Sequence, residues 1–159
     1  MASSKLTVLF ICTGNSCRSP MGEQILKQML AEKRMDNVAV YSAGIQAPVG
    51  MKAPIYSKMV CLQNGINLDE HRAKQLTRDM IKASDLILVM EKAHRLFIQS
   101  ILPDASEKIL LLNQLYSSGE LEIADPIGHE MEAYQQCFNE IHRHLSLGLP
   151  FIQKRSQEK

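Results

Sequence analysis

The sequence predicts a three-layer α/β domain, a four-stranded parallel sheet with helices on both faces. Three observations predict it. Four short runs rich in aliphatic residues have strand character, and the first of them has no polar face at all, as expected of a strand covered on both sides. Segments with helical periodicity lie between the runs, and strands alternating with helices favour parallel pairing through crossovers. No repeat, low-complexity tract or Gly/Ser linker interrupts the 159 residues, so 1–159 reads as one domain, long enough to bury a real core.

Strand 1 is "LTVLFI" (6–11), ending at Cys12. A loop follows, and then Ser19 and Pro20 read as a helix start, a capping side chain before a proline at the first helical position. Met21, Ile25, Leu26, Met29 and Leu30 give that helix one apolar face, while Gly22 stands where a capping-box Glu would be. Strand 2 is "VAVYSAG" (38–44), and a helix over 53–64 stops near Gly65. "LTRDMIKAS" holds a short helical turn, "DLILVM" (85–90) is strand 3, and a helix follows near 91–101. Strand 4 is "KILLLNQL" (108–115). The last helix spans 130–147, with Met131, Tyr134, Phe138, Ile141 and Leu145 on one face. The polar tail 153–159, "QKRSQEK", is expected to be solvated and frayed.

A net charge of +1 gives no reason to expect a nucleic-acid partner or an anionic membrane, so any anion recognition must be local. The N-terminal apolar run is too short for a membrane span and lacks the features of a signal peptide. A cytoplasmic location is the expectation, with a monomer or weak dimer as the state of assembly.

The four cysteines, Cys12, Cys17, Cys61 and Cys137, fit no zinc-ligand spacing and are expected to be reduced. Cys61 and Cys137 fall inside helical periodicity and read as inert buried thiols. Cys12 and Cys17 stand in "CTGNSCRS" (12–19), which carries chemistry. A tight loop from a strand into a helix turns backbone N–H groups inward, making an anion nest, and Gly14 and Asn15 tolerate the positive φ such a curve needs. Thr13 and Ser16 complete the curve. The helix dipole adds to the field, and Arg18 offers a planar fork for two oxygens of a tetrahedral oxyanion such as phosphate or sulfate. This is not a Walker A loop, which needs G-x-x-x-x-G-K-[ST].

The same field acts on Cys12. Free cysteine titrates near ~8.5, and a helix N-terminus or a neighbouring cation can lower that by several units. A thiolate at the bottom of a phosphate nest is a nucleophile aimed at phosphorus, and Ser19 could donate to the sulfur and help it leave later. Phosphoryl transfer to sulfur and hydrolysis of a cysteinyl-phosphate also require a general acid. Asp125, in "ADPIGHE" (124–130) after strand 4, is the best-placed carboxylate, held extended by Pro126.

These residues resemble the low-molecular-weight protein phosphatases, with the signature "V-C-x-G-N-x-C-R-S-P" near one end and "D-P" near the other. Here these are Cys12 to Pro20 and Asp125-Pro126, and "YSAG" (41–44) and "LDEHRAKQLT" (68–77) also look like family landmarks. The resemblance implies a four-stranded parallel sheet, a phosphorylated protein as substrate, a cysteinyl-phosphate intermediate, and neither metal nor cofactor. It implies Cys12 as nucleophile, Arg18 as transition-state clamp, Asp125 as acid, and Asn15 as a loop brace held by Ser42 and His71. It also implies that Cys17 can form a reversible disulfide with Cys12, protecting it from over-oxidation.

Two departures bear on substrate. Animal members resemble "D-P-Y-Y", whereas this chain has Asp125-Pro126-Ile127-Gly128. Tyrosine-specific members tend to carry a bulky aliphatic residue where Ser16 stands, while the bacterial protein-arginine phosphatases look like "C-T-G-N-T-C-R-S-P". Ser16 could hydrogen-bond a guanidinium-type leaving group, whereas a phenyl ring prefers an apolar wall such as Ile127. Phosphotyrosine is the leading expectation and phosphoarginine the alternative. The related thioredoxin-coupled arsenate reductases need a second cysteine pair after strand 3, and 84–104 has none. A phosphopeptide-binding module or a phosphate carrier would leave Cys12, Arg18 and Asp125 without a joint purpose.

Overall fold

The computed structural model describes residues 4–159. The four strands are β1 (Leu6–Cys12), β2 (Val38–Gly44), β3 (Leu86–Val89) and β4 (Ile109–Leu111), all parallel, in the order β2-β1-β3-β4. The helices are α1 (Arg18–Glu32), α2 (Ile55–Gln63), α3 (Arg78–Ala83), α4 (Lys92–Ile101) and α5 (Met131–Glu158).

Period-two alternation along β1 divides the core. Leu6, Val8, Phe10 and Cys12 belong to one apolar cluster with α1, α2 and α5, while Leu9 and Ile11 join Ile81, Ile98 and Leu111 on the other side. Both faces of β1 are therefore buried, which is why its sequence shows no polar face. The chain goes from β1 to β2 on one side and then to β3 on the other. The order thus reverses beside β1, and the crevice beyond the carboxyl ends of β1 and β3 is the expected ligand position. Among the described residues, no helix is long and apolar enough to cross a membrane.

Three expectations are corrected. The run 108–115 is strand only over Ile109–Leu111, and Leu112–Leu115 is a 3-10 turn. Gln114 Oε1 takes the Leu111 N–H at 2.9 Å, so a side chain replaces the ladder and peels the chain from the sheet. The tail 153–159 is not frayed, because α5 continues through Pro150 to Glu158. Leu149 and Ile152 are buried in the core, and Lys159 Nζ reaches Asp85 Oδ1 at 2.6 Å. Packing there outweighs the hydrogen bond that proline removes.

The third correction concerns Ser19, which is not the cap of α1. The helix opens at Arg18 with Cys17 in the capping position, no side chain caps it, and Pro20 sits within the first turn, where its missing N–H costs nothing. The Ser19 hydroxyl is turned toward Cys12 instead.

Candidate active site

Cys12 is the last residue of β1 and is almost fully buried. Its Sγ lies 2.9 Å from Ser19 Oγ. Asn15 Nδ2 donates to that same Ser19 oxygen at 2.8 Å, so the hydroxyl proton has Cys12 Sγ as a nearer acceptor than the Ala43 carbonyl at 3.4 Å. Ser19 thus supplies a donor to the sulfur, at the N-terminus of α1, where no side-chain cap forms among the described residues.

Asn15 is the hub of the loop. It alone of the Gly14-Asn15 pair adopts positive φ, at 53°, and it is completely buried. Its Nδ2 also donates to Ser42 Oγ at 2.9 Å, and its Oδ1 accepts the Lys74 N–H at 2.9 Å. Its carbonyl accepts from His71 Nε2 at 2.7 Å, which places the ring proton on that nitrogen. Burial pushes the His71 pKa below its ordinary value, despite the opposing effects of that bond and of Glu23. The expected brace of Asn15, Ser42 and His71 is therefore assembled. Gly44, closing β2, has a physical requirement: a Cβ there would stand 2.7 Å from the Asn15 nitrogen and from the Thr13 carbonyl.

Arg18 is 1% exposed. Its Nη1 donates to Glu91 Oε2 at 2.6 Å and to the Ile123 carbonyl at 2.7 Å. Its Nη2 lies 3.4 Å from Thr13 Oγ1 and 3.5 Å from Asp125 Oδ2. Burial opposes the charge, but the Glu91 bond together with the charges of Cys12, Asp125 and Glu91 outweighs it and holds the pKa above its ordinary value. Asp125 is partly open to solvent and accepts the Ile127 N–H at 3.1 Å. Ile127 is half exposed, and Gly128 closes the turn at φ 83°. The loop 45–50 packs on the phosphate loop, with the Gln46 N–H on the Thr13 carbonyl at 2.9 Å, and Val49 is exposed. Half-buried Ser16 donates to the Gly14 carbonyl at 3.3 Å.

Cys17 is buried, and desolvation pushes its pKa up to about 12. Cys61 is likewise pushed up by burial to about 12, and burial raises Cys137 further. All four cysteines are free.

Three site residues were not anticipated. Glu23 accepts from Ser42 Oγ at 2.6 Å and from Lys27 Nζ at 2.7 Å, supporting the brace from α1. Glu91 and His94 reach the loop from the start of α4. A carboxylate directly after the buried run "LILVM" was the available signal for Glu91, because that position shares the sheet edge with Cys12.

Known proteins are similar to this chain in sequence and in fold. The family model described as low molecular weight phosphotyrosine protein phosphatase matches residues 7–157. A protein-arginine-phosphatase of Geobacillus stearothermophilus is 37% identical over 134 residues, covering 84% of this chain and 87% of that one. The crystal structure of the Erwinia amylovora tyrosine phosphatase AmsI superposes with a TM-score of 0.82 at 34% identity, covering 93% of each chain. A YwlE arginine phosphatase mutant, described as having a phosphorylated active site serine, gives a TM-score of 0.84 at 29% identity, covering 94% of this chain and 96% of that one. With the family model matched over 7–157 and a relative 37% identical over most of both chains, this chain belongs to the low molecular weight phosphotyrosine protein phosphatase family.

Proposed function

We propose that the protein is a phosphatase of phosphorylated proteins, working through a cysteinyl-phosphate, with phosphotyrosine as its leading substrate. The observation that carries this reading is the convergence of Cys12, Ser19, Arg18 and Asp125 at one sheet edge, with Ser19 2.9 Å from the sulfur and Asp125 3.5 Å from the guanidinium. The Cys12 thiolate attacks phosphorus, the S–P bond forms, and the P–O bond to the leaving group breaks. Asp125, protonated at this stage, gives its proton to the departing atom. Water then attacks phosphorus, Asp125 takes that proton, and the S–P bond breaks with Ser19 donating to the released sulfur. The loop amides and Arg18 hold the three equatorial oxygens throughout. Exposed Ile127, in the turn that follows Asp125, supplies an apolar wall for an aromatic leaving group.

The test is turnover of para-nitrophenyl phosphate in the presence of a metal chelator, followed by phosphotyrosine and phosphoarginine peptides side by side. Asp125→Ala should lower the rate by roughly 10²–10⁴-fold with poor leaving groups and much less with good ones. Equal loss with both would remove the acid role.

One observation favours phosphoarginine as a second reading. Because the Ser16 proton goes to the Gly14 carbonyl, the hydroxyl's remaining lone pairs are free to accept from a guanidinium N–H. Ser16→Ile should shift the phosphotyrosine-to-phosphoarginine ratio of kcat/KM about tenfold or more toward phosphotyrosine. An unchanged ratio would take Ser16 out of substrate selection.

A further inference from the structure

His94 is 1% exposed in the first turn of α4, and its two ring nitrogens have different jobs. Nδ1 accepts the backbone N–H of Glu91 at 3.1 Å, the place a capping-box side chain would take. A nitrogen that accepts carries no proton, so the neutral ring is protonated on Nε2. Nε2 lies 3.0 Å from Thr13 Oγ1, closer than the Glu91 carboxylate at 3.6 Å. Thr13 is therefore the acceptor in this pair, and the same oxygen faces Arg18 Nη2 at 3.4 Å. Both ends of the guanidinium thus lead back to the first turn of α4. Nη1 is held directly by Glu91, and Nη2 is held through Thr13 and His94.

We propose that His94 is a positioning residue for phosphoryl transfer: its Nε2–H fixes Thr13 as an acceptor, and Thr13 fixes the Nη2 end of Arg18 against the phosphate loop. The inference rests on the phosphatase reading of the site. Burial and the Arg18 charge hold the ring pKa down to about 4 against the pull of Glu91, Glu122 and Asp125, so the donor tautomer persists through the neutral range. A purely structural role would end at the Glu91 N–H, the cap of α4.

Three variants separate the two roles. His94→Asn keeps an acceptor near the Nδ1 position and loses the Nε2 donor, whereas His94→Gln puts an amide donor near the Nε2 position. Thr13→Val removes the acceptor. The expected result is that His94→Asn and Thr13→Val each lower kcat/KM for para-nitrophenyl phosphate about tenfold and weaken vanadate binding to match. The double variant should be no worse than either alone, and His94→Gln should recover most of the loss. His94→Asn within twofold of the parent in both measurements, or losses that multiply in the double variant, would overturn the proposal. Nitrogen NMR of the unaltered protein should show the His94 proton on Nε2 from about pH 5.5 to 8. A proton on Nδ1 would also overturn it. If the unaltered protein turned over no phosphate ester, the phosphatase reading would fail, while vanadate affinity and the ring tautomer would still decide the role of His94.

Discussion

Cys12→Ser is expected to lower turnover of para-nitrophenyl phosphate by at least about 10⁴-fold while leaving the fold intact. Serine fits the space, and its hydroxyl can still bond Ser19 at the floor of the loop. What is lost is chemical, because an alkoxide is far harder to form at neutral pH than a thiolate and departs from phosphorus less readily. The loop amides, Arg18 and the Asn15 hub are unchanged, so phosphate should still raise the melting temperature of the variant. Steady-state kinetics and a thermal melt with and without phosphate check both halves. A rate near that of the parent would exclude Cys12 as the nucleophile.

Arg18→Lys should cost nearly as much as Arg18→Ala, with kcat falling roughly 10³-fold in either case. The guanidinium spans Glu91 and Ile123 on one side and Thr13 and Asp125 on the other, and a single ammonium cannot serve both ends. Removing the group also leaves the buried Ile123 carbonyl without its 2.7 Å donor, a loss of about 1–3 kcal/mol in stability. Glu91 suffers less, because its side chain is one-third exposed and can be hydrated. Kinetics together with denaturant melts check this. A Lys variant retaining a large share of kcat would mean that a point charge suffices and that the two-ended grip is unnecessary.

The parts of the site legible in the sequence were those written locally. Strand 1 announced itself because both its faces are buried, and the loop because Cys12, Asn15, Arg18 and Ser19 fall within eight residues. Asp125 was singled out through the reaction's need for an acid, since an Asp-Pro turn by itself says little, and its carboxylate stands 3.5 Å from the Arg18 guanidinium. The partners of Arg18 were not legible in this way. Glu91 stands 73 residues from it and Ile123 105 residues from it, and the latter contributes only a backbone oxygen, which no side-chain pattern can signal. His94 looked like one more helix residue because its tautomer is set by a backbone N–H and its target by the loop. The tail misled for the opposite reason. Its polar composition argues locally against a helix, whereas burial of Leu149 and Ile152 just ahead of it decides in favour of one.

The most direct measurement is rapid-quench mass spectrometry of the Asp125→Ala protein mixed with para-nitrophenyl phosphate. With proton removal from the attacking water impaired, the peptide bearing Cys12 should carry the mass of one phosphoryl group within the first turnover and lose it as phosphate appears. A phosphoryl group on any other residue, or steady turnover with no labelled peptide at any time, would contradict transfer through the sulfur of Cys12.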